Sequence, residues 1–273
     1  MFFGILFGRG QRLMTVVLLF LGINLVLFGL FDWKPNLNMN WFDDLFLSGQ
    51  TMTVRGESAS GYDYLIRLPK NYREDDPPRP LLLFLHGAGE VGSDVSVLEK
   101  LDAFYYAKRG ITGLSEKSFP FIVVSPLTPK HGWDPKKVVL LLDELLQSDR
   151  CHIDPERVYL TGFSMGGFGT FRVASEYPER FTAIVPLAGG GESANAVKLQ
   201  NMPTWVFHGD LDTALPIEYS KIMVEALKNA GNQNLHFTVL KGYYHQIPKK
   251  VYKNRELYKW LLQQKIQPTT TDE

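Results

Sequence analysis

The chain has 273 residues, 45% of them hydrophobic, and 29 basic side chains balance 29 acidic ones. That length suits one large domain better than two. Without a long basic run or a basic-aromatic stripe, the sequence lacks the electrostatic footprint of a nucleic-acid binder. A single cysteine, Cys151, excludes an intrachain disulfide and a cysteine-rich metal site; it reads as a structural or incidental thiol.

After a short flank of residues 1–12, residues 13–31 read LMTVVLLFLGINLVLFGLF without a charge. At about 1.5 Å per residue this stretch is roughly 28 Å long, close to the apolar thickness of a bilayer. Arg9 and Arg12 precede it, and Asp32, Lys34, Asp43 and Asp44 follow. The expectation is an uncleaved transmembrane signal anchor, with the N-terminus in the cytoplasm and the rest on the periplasmic or extracellular side. The competing reading is a cleaved secretory signal. That needs a shorter apolar core and small residues at the cleavage site, whereas the first alanine is Ala59. Residues 32–60 are expected to hold a linker and a first strand, residues 61–266 the folded domain, and residues 267–273 a frayed polar tail.

Within the domain, strands and helices alternate. Tyr64–Leu68 predicts a strand, and residues 73–80 a proline-stiffened turn. Leu81–Leu85 is an unbroken apolar run, as a strand covered on both faces should be, and ends in His86-Gly87-Ala88-Gly89. Helical spacing follows over Val97–Lys108, a strand over Phe121–Val124, and a helix over Lys136–Gln147. Further strands are predicted at Arg157–Leu160, Ala183–Leu187, Thr204–Phe207 and His236–Leu240, with helices at Thr170–Tyr177, Ile217–Ala230 and Val251–Gln264. This alternation predicts a mostly parallel central sheet with helices on both faces. Ligands of such sheets bind beyond the carboxyl ends of the strands. His86-Gly87, Ser164, Gly189-Gly190-Gly191, Asp210–Asp212 and His245 all follow apolar strands, so they should converge on one rim.

The sharpest motif is Gly162-Phe163-Ser164-Met165-Gly166, set between a strand and a helix. Glycines on both sides permit the tight strand-to-helix turn that lifts a serine hydroxyl clear of the sheet. A serine needs a base to take its proton. Of six histidines, His86 and His208 begin His-Gly pairs that shape loops. His131 and His152 lie in loops before the serine, and His236 falls inside a strand. His245, after the last strand, is the best candidate base. A carboxylate should orient it. Asp210 and Asp212 both fit the chain order, and Asp212 is preferred because it lies further along the loop toward the rim. The amides of Met165 and Ala88 are the expected oxyanion donors. Trp133 and Tyr244 are candidate pocket walls.

The segments LLLFLHGAGEVGSD, RVYLTGFSMGGFGTF, WVFHGDLDTALP and the final stretch from His245 to LYKWLL resemble the α/β-hydrolases over residues 62–264. Within them the chain is most similar to phospholipase/carboxylesterase-type esterases bordering on poly(3-hydroxybutyrate)-depolymerase-like and feruloyl-esterase-like enzymes. The resemblance implies the α/β-hydrolase fold, a Ser164–Asp212–His245 triad, ester or polymer-ester substrates, and no cofactor or metal. Peptidase or amidase activity is the alternative within the class, and a catalytically silent binding protein the alternative outside it. One departure is visible: many relatives follow the histidine with an acidic residue and a tryptophan, and here Gln246-Ile247-Pro248 stands instead.

Overall fold

The computed structural model describes residues 51–69, 72–101, 103, 105–106 and 119–266. The predicted membrane segment at 13–31, most of the linker and the tail lie outside them. Among the described residues, no helix is long and apolar enough to cross a membrane.

Eight strands form one sheet: β1 (Thr51–Val54), β2 (Asp63–Arg67), β3 (Arg79–Leu85), β4 (Ile122–Leu127), β5 (Ile153–Phe163), β6 (Ala183–Leu187), β7 (Thr204–Gly209) and β8 (Leu235–Leu240). Their order is β1-β2-β4-β3-β5-β6-β7-β8. β1 and β2 run antiparallel to their neighbours, and every pairing from β4 to β8 is parallel. The first strand thus belongs to the sheet, ahead of the expected domain start at residue 61.

β3 shows why the centre is apolar throughout. Leu81, Leu83 and Leu85 pack into one buried cluster and Leu82 and Phe84 into another, on the opposite face. Period-two alternation sends successive side chains to opposite faces, and here both faces are dry. Among the described residues, α1 (Pro135–Leu146), α2 (Met165–Glu176), α3 (Glu218–Asn229), α4 (Pro248–Val251) and α5 (Arg255–Gln263) cover the two layers. Val138, Leu141 and Leu142 of α1, Phe171 of α2 and Leu227 of α3 join the Leu81 cluster. Val251 of α4 and Leu257, Tyr258 and Leu261 of α5 join the other.

Several boundaries differ from the sequence expectations for identifiable reasons. β4 continues through Pro126 because beyond Val124 it pairs only with β2, and a proline is tolerated where one ladder ends. In place of the start of the helix expected at Val97–Lys108 there is a 3₁₀ turn over Val95–Lys100, opened by Asp94, whose side chain accepts from the Ser96 amide. The single helix expected over Val251–Gln264 is broken in two: the Asn254 side chain accepts from the Glu256 amide at 3.0 Å and starts a new helix there. α2 begins five residues earlier than its apolar spacing suggests, directly after Ser164.

Candidate active site

The carboxyl ends of β3, β5, β6, β7 and β8 carry the polar segments to one rim. β5 ends at Phe163 and α2 begins at Met165, so the chain turns within a single residue. That residue is Ser164, at φ 59° and ψ −117°, a conformation L side chains rarely adopt. Its amide donates to the Leu187 carbonyl at 2.9 Å, tying the turn to β6.

Two close approaches fix this turn. A Cβ at Gly166 would stand 1.9 Å from the Leu85 carbonyl oxygen, and one at Gly162 would stand 2.3 Å from the Gly166 oxygen. One side chain's thickness would therefore separate β3, β5 and the start of α2. Gly167 and Gly189 make a second such contact: a Cβ on Gly167 would lie 2.4 Å from the Leu187 oxygen, and one on Gly189 would lie 2.5 Å from the Gly167 carbonyl carbon.

The structure brings Ser164, His245 and Asp212 together. His245 Nε2 lies 3.0 Å from Ser164 Oγ, and its Nδ1 lies 2.6 Å from Asp212 Oδ2. Because a carboxylate can only accept, Nδ1 carries the hydrogen and Nε2 is left as the acceptor facing the serine hydroxyl. The His245 ring rests on Phe163, centroids 4.8 Å apart. The Asp212 side chain is fully buried and the His245 side chain 19% exposed. Asp212 Oδ1 accepts from the amides of Ala214 and Leu215 at 2.9 and 2.8 Å. Burial pushes the Asp212 carboxyl up, but the Leu215 amide and His245 outweigh it and hold it below the usual carboxylate value. Asp210 instead accepts from the Gly242 amide at 2.7 Å and shapes the loop that presents His245.

Of Gln246, Ile247 and Pro248, the departure noted after His245, Gln246 is exposed and the other two are buried. Ile247 is wholly buried against the α5 face, and Pro248 opens α4. The amide of Ile247 donates to the His245 carbonyl at 2.8 Å, a tight turn directly after the imidazole.

Met165 opens α2 and Ala88 opens a 3₁₀ turn over Ala88–Glu90. First-turn amides have no partner within their own helix, so both are available to an outside acceptor. The Met165 sulfur accepts from the Gly132 amide at 3.1 Å and joins the 128–134 loop to the serine turn. His86 is fixed as the Nδ1–H tautomer: Nε2 accepts from the Thr128 amide at 3.1 Å, and Nδ1 donates to the Gly87 carbonyl at 2.6 Å.

Burial pushes His86 down to about 4 from an ordinary 6.5. A histidine whose folded value lies below its unfolded value costs stability as pH falls, because the unfolded chain takes up the proton first. About 3 kcal/mol should be lost between pH 6.5 and 4 from this group. The urea midpoint is expected to fall across that window in the wild type, and to fall less in His86→Asn, whatever the variant's stability at pH 7. Parallel pH curves for the two proteins would refute the assignment.

The two candidate pocket walls fare differently. Trp133 is 2% exposed. Its ring packs edge-on against His86 and Tyr62, and its indole N–H donates to the His86 carbonyl. A Cβ on Gly169 would strike it at 2.6 Å. Trp133 therefore braces the loop bearing Ala88, and it also borders a cleft with Thr128, His131 and Asp134. Tyr244 is 64% exposed beside His245 and can meet a ligand. Cys151 is buried, which pushes its thiol up to about 11 and leaves it protonated at neutral pH. His208 shapes its loop as expected, through the Leu215 carbonyl at 2.9 Å, and its Nε2 also lies 3.3 Å from Asp212 Oδ2. The only signal for this in the sequence is the spacing His208-x-x-x-Asp212.

Comparison with known proteins bears out the resemblance drawn from the motifs. Residues 136–257 match the phospholipase/carboxylesterase family model. The putative esterase NocK of Nocardia uniformis subsp. tsuyamanensis is 30% identical over 146 residues, covering 51% of this chain and 42% of that protein. A probable feruloyl esterase C of Aspergillus terreus is 25% identical over 171 residues, covering 62% and 61% respectively. Among solved structures, a thermostable esterase superposes with a TM-score of 0.67 at 28% identity, over 80% of this chain and 63% of that one. The chain thus has the α/β-hydrolase fold and is similar to esterases, while spanning less than two thirds of each of these relatives.

Proposed function

We propose that this chain is a serine hydrolase of carboxylic esters, with Ser164 as nucleophile, His245 as general base and acid, and Asp212 as the group that orients His245. The observation that carries the reading is the unbroken relay from Ser164 Oγ through both nitrogens of His245 to a buried carboxylate. The family match and the esterase-named relatives support the ester as substrate.

In the first step His245 Nε2 takes the hydroxyl proton as Ser164 Oγ attacks the ester carbonyl carbon. The carbonyl oxygen becomes an oxyanion, which the amides of Met165 and Ala88 receive. The intermediate collapses, the ester C–O bond breaks, and His245 gives its proton to the departing alcohol. A water molecule then loses a proton to His245 and attacks the acyl-serine. The acid leaves and Ser164 Oγ takes the proton back. Asp212 stabilises the imidazolium at each stage without itself being protonated. Tyr244 is the side chain best placed to meet the incoming ester. The uncharged segment at 13–31 supports a membrane anchor with the catalytic domain outside the cytoplasm.

A fluorophosphonate probe tests the core of this reading. The wild type is expected to label at Ser164 and Ser164→Ala to stay unlabelled. Equal labelling of the two, or none of a folded wild type, would overturn it.

A further inference from the structure

His208 is wholly buried at the end of β7 and takes no part in the chemistry above. Its Nε2 faces two acceptors, the Leu215 carbonyl at 2.9 Å and Asp212 Oδ2 at 3.3 Å. A ring nitrogen that faces only acceptors carries the hydrogen. Nδ1 lies 2.7 Å from Ser220 Oγ, on α3, and accepts its hydroxyl hydrogen, while Ser220 Oγ also stands 2.6 Å from the Gly189 carbonyl oxygen. The ring is thus anchored to α3 and, through Ser220, to the segment after β6 on one side, and points its Nε2–H at the Asp212 turn on the other.

That turn is closed by Leu215 twice. The Leu215 amide holds Asp212 Oδ1, and the Leu215 carbonyl is held by His208. The oxygen that grips His245, Oδ2, is the one nearest His208. We propose that His208 is a positioning residue for the triad: its Nε2–H clamps the 212–215 turn and lends positive charge to Asp212 Oδ2, setting how strongly that oxygen pulls on His245. The proposal rests on the reading of Ser164, His245 and Asp212 as the catalytic relay.

Among the described residues, the charged and titratable groups facing His208 are Asp212, His245 and Glu218 of α3. Burial pushes His208 down against the upward pull of the Leu215 carbonyl and Asp212, and the balance is lowered, consistent with one proton on the ring. Removing the Nε2 donor leaves Oδ2 with His245 as its only imidazole partner. The stronger pull stabilises the imidazolium, so the base must lose its proton at higher pH.

Two substitutions separate a donor role from mere filling. The amide nitrogen of His208→Gln reaches the place of Nε2, whereas that of His208→Asn reaches only the place of Nδ1. His208→Asn is expected to lower kcat about 10- to 100-fold with KM little changed, and to move the acidic limb of kcat/KM toward higher pH. His208→Gln is expected to recover most of the rate and the wild-type limb. Ser220→Ala, which keeps the Nε2 contacts, should lower the melting temperature without moving the limb. Independently of turnover, the titration midpoint of the His245 ring signals by NMR should rise in Asn and not in Gln. Equal behaviour of Asn and Gln, or an unmoved midpoint in folded Asn, would overturn the proposal. A wild type without ester turnover would count against the esterase reading instead, and the NMR comparison would still decide this one.

Discussion

Ser164→Ala is expected to lower kcat for a short-chain p-nitrophenyl ester about 10⁶-fold, and Asp212→Asn about 10⁴-fold. The second figure has a specific cause. An asparagine can keep its oxygen toward the amides of Ala214 and Leu215, which hold Oδ1 at 2.9 and 2.8 Å. Its nitrogen then faces His245 Nδ1, where Oδ2 now sits at 2.6 Å. Two donors cannot share that contact, so the imidazole hydrogen moves to Nε2 and points at Ser164. The base is then unable to accept a proton. Because the three side chains act as one device, a Ser164→Ala/Asp212→Asn double variant should be no slower than Ser164→Ala alone. Multiplicative losses in steady-state kinetics would show that the groups act independently, and the relay would not be the engine.

The second large effect is on folding. Gly166→Ala is expected to destabilise the protein by more than about 4 kcal/mol, outside the range of ordinary substitutions. The added methyl would meet the Leu85 oxygen at 1.9 Å, the Leu85 carbonyl carbon at 2.6 Å and the His86 oxygen at 2.8 Å. All three are backbone atoms of the β3 end, so no rotamer change relieves the clash. Since a domain of this kind has roughly 5–15 kcal/mol in total, little soluble protein should result. Gly89→Ala is the control, because nothing lies within 4 Å of its added methyl. If circular dichroism gives Gly166→Ala a melting temperature within a few degrees of the control, the contact is softer than the geometry implies.

These two positions also show what was legible beforehand. The apolar runs at Leu81, Ala183 and Thr204 gave away the central strands because both faces of the sheet are covered. His245 could be picked from six histidines because it alone follows the last strand. The start of α2 was harder. Gly166, Gly167 and Gly169 are poor helix formers, and the close backbone contacts that demand glycine there do not show in spacing. In sequence Trp133 reads as a loop aromatic. Only folding reveals that Gly169 leaves a recess for it and that the His86 carbonyl takes its indole hydrogen. In sequence His208 reads only as a loop shaper for the same reason: its contact with Asp212 depends on how a five-residue turn curls. The positive φ of Ala188, 44°, left no trace in the sequence either.

The meeting of Gly167 with Gly189 has a wider consequence. Main chain presses on main chain where α2 leaves β5 beside the end of β6, so Ser164 Oγ is located by the frame of the sheet and not by any side chain that might be exchanged. Exposed residues nearby, Tyr244 among them, can be replaced without moving that hydroxyl. A scaffold with that property can drift from one ester to another while its reaction coordinate stays put.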